Sequence, residues 1–230
     1  MSQTTTVARF KPRMVLFDLD GTLIDSVPDL HVAVNAMQAE LGNPERRQAD
    51  VRDWVGNGIE RLVERALTNS LDGKPDPAVF DEAMPLFRRA YAESNGKHSK
   101  VFDGVIEGLD FVQALGLPIG CVTNKVETFT LPLLEQTGLK DYFEVVISGD
   151  TLSLKKPDPA PLIYSAGWFH VHPSEALMIG DSVSDVKAAR AADFSIICMS
   201  YGYNHGEDIR NYDPDAVIDS MTELAGLVGR

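Results

Sequence analysis

Two acids spaced two residues apart, Asp18 and Asp20, close a short apolar run in the segment Phe17-Asp18-Leu19-Asp20-Gly21-Thr22-Leu23-Ile24-Asp25-Ser26. Carboxylates so spaced suit a hard cation such as Mg²⁺, and a carboxylate can also attack phosphorus. The preceding Met14-Val15-Leu16-Phe17 reads as a buried strand. The period of two along a strand turns both acids to one side. Gly21 lets the chain turn sharply, and Thr22 adds a hydroxyl and an amide beside the acids. Asp and Gly also make ordinary turns, so the rest of the chain must supply matching chemistry.

Further polar residues close further apolar runs. Thr123 and Asn124 follow Ile119-Gly120-Cys121-Val122, where a hydroxyl and an amide can take phosphate oxygens. Lys156 stands in Lys155-Lys156-Pro157-Asp158-Pro159, ahead of a helical stretch. Asp181 and Asp185 open a helix after Leu177-Met178-Ile179-Gly180. Each of these taken alone has a plainer explanation: an N-cap, an exposed lysine, acids at a helix start. Taken together they are three strand ends carrying Asp/Asp, Thr and Asp, which a parallel sheet turns toward one crevice.

The elements that must position these residues are legible as alternating patterns. Beyond Val101, helices are expected over 105–115, 126–137 (bent or shortened by Pro132), 158–170 and 183–192. Strands are expected over 118–122, 143–148, 176–180, 195–199 and 216–218. Such alternation implies an α/β fold with a doubly wound parallel sheet. The stretch from Ser26 to Lys100 is far longer than a crossover requires and is helical in pattern. Its stripes are Leu30/Val34/Met37/Leu41, Ile59/Leu62/Val63/Ala66/Leu67 and Val79/Phe80/Ala83/Phe87/Ala90/Tyr91, the last expected to kink at Pro85. The expected organisation is a polar, mobile tail over 1–12, a core formed by 13–25 with 101–230, and a helical cap domain over 26–100.

Bulk properties narrow the class. The chain has 230 residues, 44% hydrophobic, with a mean hydropathy of −0.10, as in an ordinary water-soluble protein. The formal charge of −13, from 34 acidic against 21 basic residues, speaks against nonspecific nucleic-acid binding. It also repels anionic substrates at long range, so a phosphate site needs local positive charge. No apolar stretch is long enough to span a bilayer, and the N-terminus lacks the apolar centre of a signal peptide. Cys121 and Cys198 lie in apolar runs and are expected to be buried free thiols in a reducing, cytoplasmic setting.

In order and spacing, Asp18 with Asp20, Thr123, Lys156, and Asp181 with Asp185 resemble the four motifs of the haloacid dehalogenase-like phosphatases. The resemblance covers nearly the whole chain, and the helical insertion matches that superfamily's cap. It implies Asp18 as nucleophile, Asp20 as acid/base, and Thr123, Asn124 and Lys156 as phosphate-binding residues. It further implies Mg²⁺ as cofactor, held by Asp18, the main-chain carbonyl of Asp20 and Asp181. Asp185 then supports the site through water or hydrogen bonds. The partner is a small anionic phosphomonoester, with no nucleic acid or membrane, and the protein is a monomer or homodimer.

Within the cap, Trp54-Val55-Gly56-Asn57-Gly58 with Leu62-Val63-Glu64-Arg65-Ala66-Leu67 is similar to the signature of bacterial phosphoglycolate phosphatases, as is Tyr201-Gly202-Tyr203-Asn204 with Gly206. The glycines flanking Asn57 let backbone amides approach a very small ligand. On that resemblance Gly56, Asn57, Gly58, Arg52 and Arg61 are the candidate specificity residues, and 2-phosphoglycolate is the expected substrate. Asp20 sets the chain apart from dehalogenases, which lack the second aspartate. A cap lysine of the kind phosphonate hydrolases use is missing between Ser26 and Gly73. A phosphatase or mutase for another small sugar phosphate, and a noncatalytic binding protein on the same fold, are the alternatives.

Overall fold

The structure, a computed structural model, describes residues 9–230. In chain order, β1 (Met14–Phe17) and β2 (Ile24–Asp25) lead into four helices, α1 (Val27–Glu40), α2 (Gln48–Trp54), α3 (Ile59–Thr68) and α4 (Pro77–Ser94). The chain returns through β3 (Lys100–Val101) to α5 (Val105–Ala114), β4 (Ile119–Val122), α6 (Glu127–Gln136) and β5 (Val145–Ile147). Then follow α7 (Ala160–Trp168), β6 (Ala176–Gly180), α8 (Val183–Ala192), β7 (Ser195–Met199), β8 (Ala216–Ile218) and α9 (Leu224–Leu227).

Six strands form one sheet in the order β5-β4-β1-β6-β7-β8, with every pair parallel. Alternation along the strands divides the core between its two faces. Val15, Phe17, Cys121, Ile179 and Met199 pack with Val105, Leu109 and Leu224 from α5 and α9. Met14, Leu16, Met178, Ile196 and Cys198 pack with Leu162, Ala166, Ala188 and Ala189 from α7 and α8. Burial on both faces explains why these strands read as continuous apolar runs. The sheet runs one way from β1 to β4 and the other way to β6, so the strand order switches beside β1. The crevice at that switch point lies beyond the carboxyl ends of β1, β4 and β6.

The four inserted helices bury a cluster of their own, including Val34, Met37, Trp54, Leu62, Val63, Phe87 and Tyr91, joined by Phe129 and Tyr203 from outside the insertion. Departure and return are tied together twice. Strands β2 and β3 pair antiparallel. The fully buried Asp29 carboxylate of α1 accepts the backbone N–H groups of Gly96 (2.8 Å), His98 (2.8 Å) and Ser99 (3.0 Å).

Several local expectations are corrected. Helix α6 spans Pro132 without being shortened there, and α4 carries Pro85 inside one continuous helical span. Proline removes one N–H from each helix, and buried neighbours such as Phe87 and Leu133 hold the element together. Helix α2, outside the expected stripes, forms because Val51 and Trp54 bury one side of a short amphipathic turn. Helix α7 begins after Asp158, whose carboxylate accepts the Ala160 N–H at 2.9 Å. Of the expected polar tail, residues 1–8 lie outside the described residues. Phe10 is docked rather than free: its side chain is buried, and its N–H donates to the Leu227 carbonyl at 2.9 Å. Among the described residues no helix is long and apolar enough to cross a membrane.

Candidate active site

Asp18 is the first residue past β1, and its N–H donates to the Ile179 carbonyl of β6 at 2.9 Å. The chain then folds back at once: the Leu23 and Ile24 N–H groups donate to the Leu19 carbonyl at 2.9 and 3.0 Å. Gly21 makes this possible at φ +88°, and a Cβ there would lie 2.4 Å from Asp181 Oδ2. Both the conformation and the close approach therefore demand glycine.

Asp18, Asp181 and Asp185 converge from β1 and from the start of α8. One oxygen from each lies within 4.8 Å of the others, and all three residues are buried. Such a set of hard oxygen donors could hold a metal ion. Asp181 is oriented by Thr22 Oγ1 (2.6 Å) and by the Tyr203 N–H (2.6 Å). Asp185 accepts the Ser182 N–H (3.0 Å) and hydroxyl (2.6 Å), capping α8.

Lys156 enters this cluster with an almost wholly buried ammonium group. It donates to the Val122 carbonyl (2.7 Å) and Asp185 Oδ1 (2.7 Å), and pairs with Asp18 Oδ1 at 2.8 Å. Burial alone would lower its pKa, but Asp18 and Asp185 raise it above the ordinary lysine range, so the group stays charged. Burial pushes the Asp18 carboxyl up to about 7, with Lys156 opposing that rise and Asp185 adding to it. Asp181 is also raised, first by burial and then by the other two carboxylates. Three carboxylates facing one ammonium group thus leave the cluster short of positive charge.

Asp20 faces the same cavity but meets a different cation. Lys125 donates to its two carboxylate oxygens at 2.9 and 3.1 Å, and lies 5.1 Å from the centre of the Tyr91 ring of α4. Sequence reasoning did not single out Lys125. The available signal was its place two residues past Thr123, in the loop beyond β4. Thr123 lines the cavity, and its hydroxyl accepts the Lys125 N–H at 3.2 Å. The Asn124 side-chain amide is committed elsewhere, donating to the carbonyls of Gly56 (3.0 Å) and Lys156 (2.9 Å).

The roof of the cavity comes from the helical insertion. Leu30, Val55, Gly56, Gly58, Ile59 and Leu62 face Asp18, Asp20, Thr123 and both lysines across a space of about 40 Å³. Asn57 lies between the two roof glycines, held by Arg65 (2.9 Å) and Ser184 (3.4 Å). The two expected charged partners for a substrate face elsewhere. Arg61 is bound by Glu64 (2.5 Å) and the carbonyls of Leu71 (2.9 Å) and Gly73 (3.0 Å). Arg52 lies over the Tyr203 ring at 4.6 Å and donates to the Tyr201 carbonyl at 2.8 Å, bracing the insertion against the core.

The whole-chain comparisons agree with one another. Residues 15–199 match the model of the haloacid dehalogenase-like hydrolases. The chain is 53% identical over 220 residues to a phosphoglycolate phosphatase of Nitrosococcus oceani, covering 96% of this chain and 98% of that one. It is 48% identical to the phosphoglycolate phosphatase of Thiobacillus denitrificans, covering 94% of this chain and 95% of that one. The crystal structure of a predicted phosphoglycolate phosphatase from Haemophilus somnus superposes with a TM-score of 0.88 at 30% identity, covering 95% and 97% of the two chains.

Proposed function

This chain belongs to the haloacid dehalogenase-like hydrolase family, and from that premise we propose that it hydrolyses 2-phosphoglycolate to glycolate and phosphate. The observation that carries the proposal is the small cavity, with Asp18 and Lys156 on its floor and Gly56 and Gly58 in its roof. An ester of two carbons fits so confined a space with the least displacement of the helices. The names borne by relatives matching almost the full chain support the same substrate.

An Asp18 oxygen attacks phosphorus in line while the bond from phosphorus to the ester oxygen breaks. Asp20 gives its proton to the departing glycolate oxygen. It then takes a proton from the water that attacks the aspartyl phosphate, releasing phosphate and restoring Asp18. Lys156 and Thr123 hold the phosphoryl oxygens. The buried carboxylates of Asp18 and Asp181 fit Mg²⁺, which the main-chain carbonyl of Asp20 would help to hold as the family resemblance implies, and Asp185 fixes Lys156 beside them. When bound, the ion supplies positive charge to the phosphoryl oxygens.

Residues 26–100 serve as a cap that excludes water and confines the substrate. The buried free thiols Cys121 and Cys198 suit a reducing cytoplasm. The test is phosphate release from a panel of 2-phosphoglycolate, hexose phosphates and p-nitrophenyl phosphate, with and without Mg²⁺. The highest kcat/KM should belong to 2-phosphoglycolate, Asp18→Asn should abolish turnover, and EDTA should do the same. A hexose phosphate ranking first would refute the substrate.

A further inference from the structure

A substrate carboxylate needs a cation in the cavity, and the surrounding positive charges can be sorted by what already holds them. Arg52 and Arg61 are bound to groups away from the cavity. Arg65 is taken by the Trp54 and Leu71 carbonyls and by Asn57. Among the described residues lining the cavity, the side-chain cations are Lys125 and Lys156. Lys156 has all three donors engaged at the floor, by Val122, Asp185 and Asp18. The Lys125 ammonium has Asp20 as its one charged partner and the face of Tyr91 beside it.

Position then decides between the two. With phosphorus over Asp18, the ester oxygen faces Asp20, since Asp20 must protonate it. In 2-phosphoglycolate a single methylene separates that oxygen from the carboxylate. The carboxylate therefore falls beside the group next to Asp20, which is Lys125. The backbone fixes this place firmly. The Lys125 carbonyl accepts the Gly149 N–H (2.8 Å) and the Thr130 hydroxyl (3.1 Å), while its N–H is held by Thr123.

Resting on the substrate reading above, we infer that Lys125 recognises the carboxylate of the substrate, exchanging Asp20 for it. The buried ammonium trades one carboxylate partner for another, so Lys125 itself is never left unpaired. A substrate without a carboxylate offers nothing to trade, and Asp20 stays clamped to Lys125 away from the leaving oxygen. One residue thereby joins recognition to release of the acid, so the discrimination reaches kcat as well as KM.

The experiment compares 2-phosphoglycolate with ethyl phosphate, in which a methyl group replaces the carboxylate. The native enzyme should favour 2-phosphoglycolate strongly. Lys125→Met should cut the ratio of the two kcat/KM values by about a hundredfold or more, and Lys125→Arg should keep most of it. Equal losses for both esters in Lys125→Met would overturn the proposal, because Lys125 would then only position Asp20. A native enzyme with no preference would overturn the substrate reading, and this inference with it. A native preference that survives in Lys125→Met overturns the Lys125 assignment alone.

Should Lys125→Met not fold, the pair Asp20→Asn and Asp20→Asn/Lys125→Met removes the stranded carboxylate and allows binding to be read from ligand-induced shifts in Tm. The single variant should respond more to 2-phosphoglycolate than to ethyl phosphate. The double variant should lose that difference, and its persistence would overturn the assignment.

Discussion

Lys156→Met removes the cation from the floor of the site while keeping most of the volume. Its ammonium pairs with Asp18 at 2.8 Å and Asp185 at 2.7 Å, and its side chain is 2% exposed. Two buried carboxylates lose their neutralising partner, with Asp181 beside them. Breaking a buried pair from one side costs about 3–5 kcal/mol. The sign of the pH dependence follows from Asp18, raised from 3.8 to about 7 even with Lys156 present. A carboxyl raised in the folded state favours folding at low pH, and that contribution is lost as pH climbs from its unfolded toward its folded value. Removing Lys156 extends that loss above neutrality. The variant should therefore be destabilised by about 3–5 kcal/mol near pH 8, and by at least about 1 kcal/mol less near pH 5. Urea unfolding followed by circular dichroism, with EDTA present, measures both. Turnover should drop by about 10²–10³ or more, since a phosphoryl donor is lost. A deficit below about 1 kcal/mol, or one equal at the two pH values, would refute the charge argument.

Two other perturbations probe the supports of the site. Asp29→Ala orphans three backbone N–H groups at the return of the helical insertion, and should cost about 3–5 kcal/mol, lowering Tm by roughly 6–20 °C. A loss under about 1 kcal/mol would mean that water satisfies those donors as well as the carboxylate does. Gly202→Ala places a Cβ 2.1 Å from Asp181 Cβ and 2.4 Å from its Oδ2, whereas a Cβ on Gly226 meets no atom within 4 Å. The first variant should need about 10–100 times more Mg²⁺ for half-maximal activity, and Gly226→Ala should match the native enzyme. Unchanged Mg²⁺ dependence in Gly202→Ala would dissociate Asp181 from the metal.

What could be read in the sequence was what local chemistry determines. The apolar run 14–17 and the acids after it declare a buried strand ending in a site, and the parallel-sheet rule places Thr123 and Asp181 beside Asp18. The helix over 183–192, opened by the acids Asp181 and Asp185, was equally visible. Side-chain direction was not. Arg61 looked available to a substrate, yet the carbonyls of Leu71 and Gly73 lie within its reach and hold it. Lys125 looked like a loop lysine because its partner stands 105 residues away. Phe10 was hidden inside a polar segment, and one apolar side chain was enough to dock that stretch beside Val228.

The charges of the site also explain how so acidic a protein can take an anionic ester. Four carboxyl groups, Asp18, Asp20, Asp181 and Asp185, face two ammonium groups, Lys125 and Lys156, and with all four ionised the cavity would carry an excess of two negative charges. A phosphate ester would enter against that excess as well as against the net charge of −13. At a few ångströms and low effective dielectric, each uncompensated pair opposes binding by several kcal/mol. A divalent cation on Asp18 and Asp181 would cancel that excess. Metal binding is on this argument a condition for substrate binding as well as for the chemistry. On the inference above, the Lys125 ammonium pairs with Asp20 when the site is empty and with the substrate's carboxylate when it is full, so it has a carboxylate partner in both states.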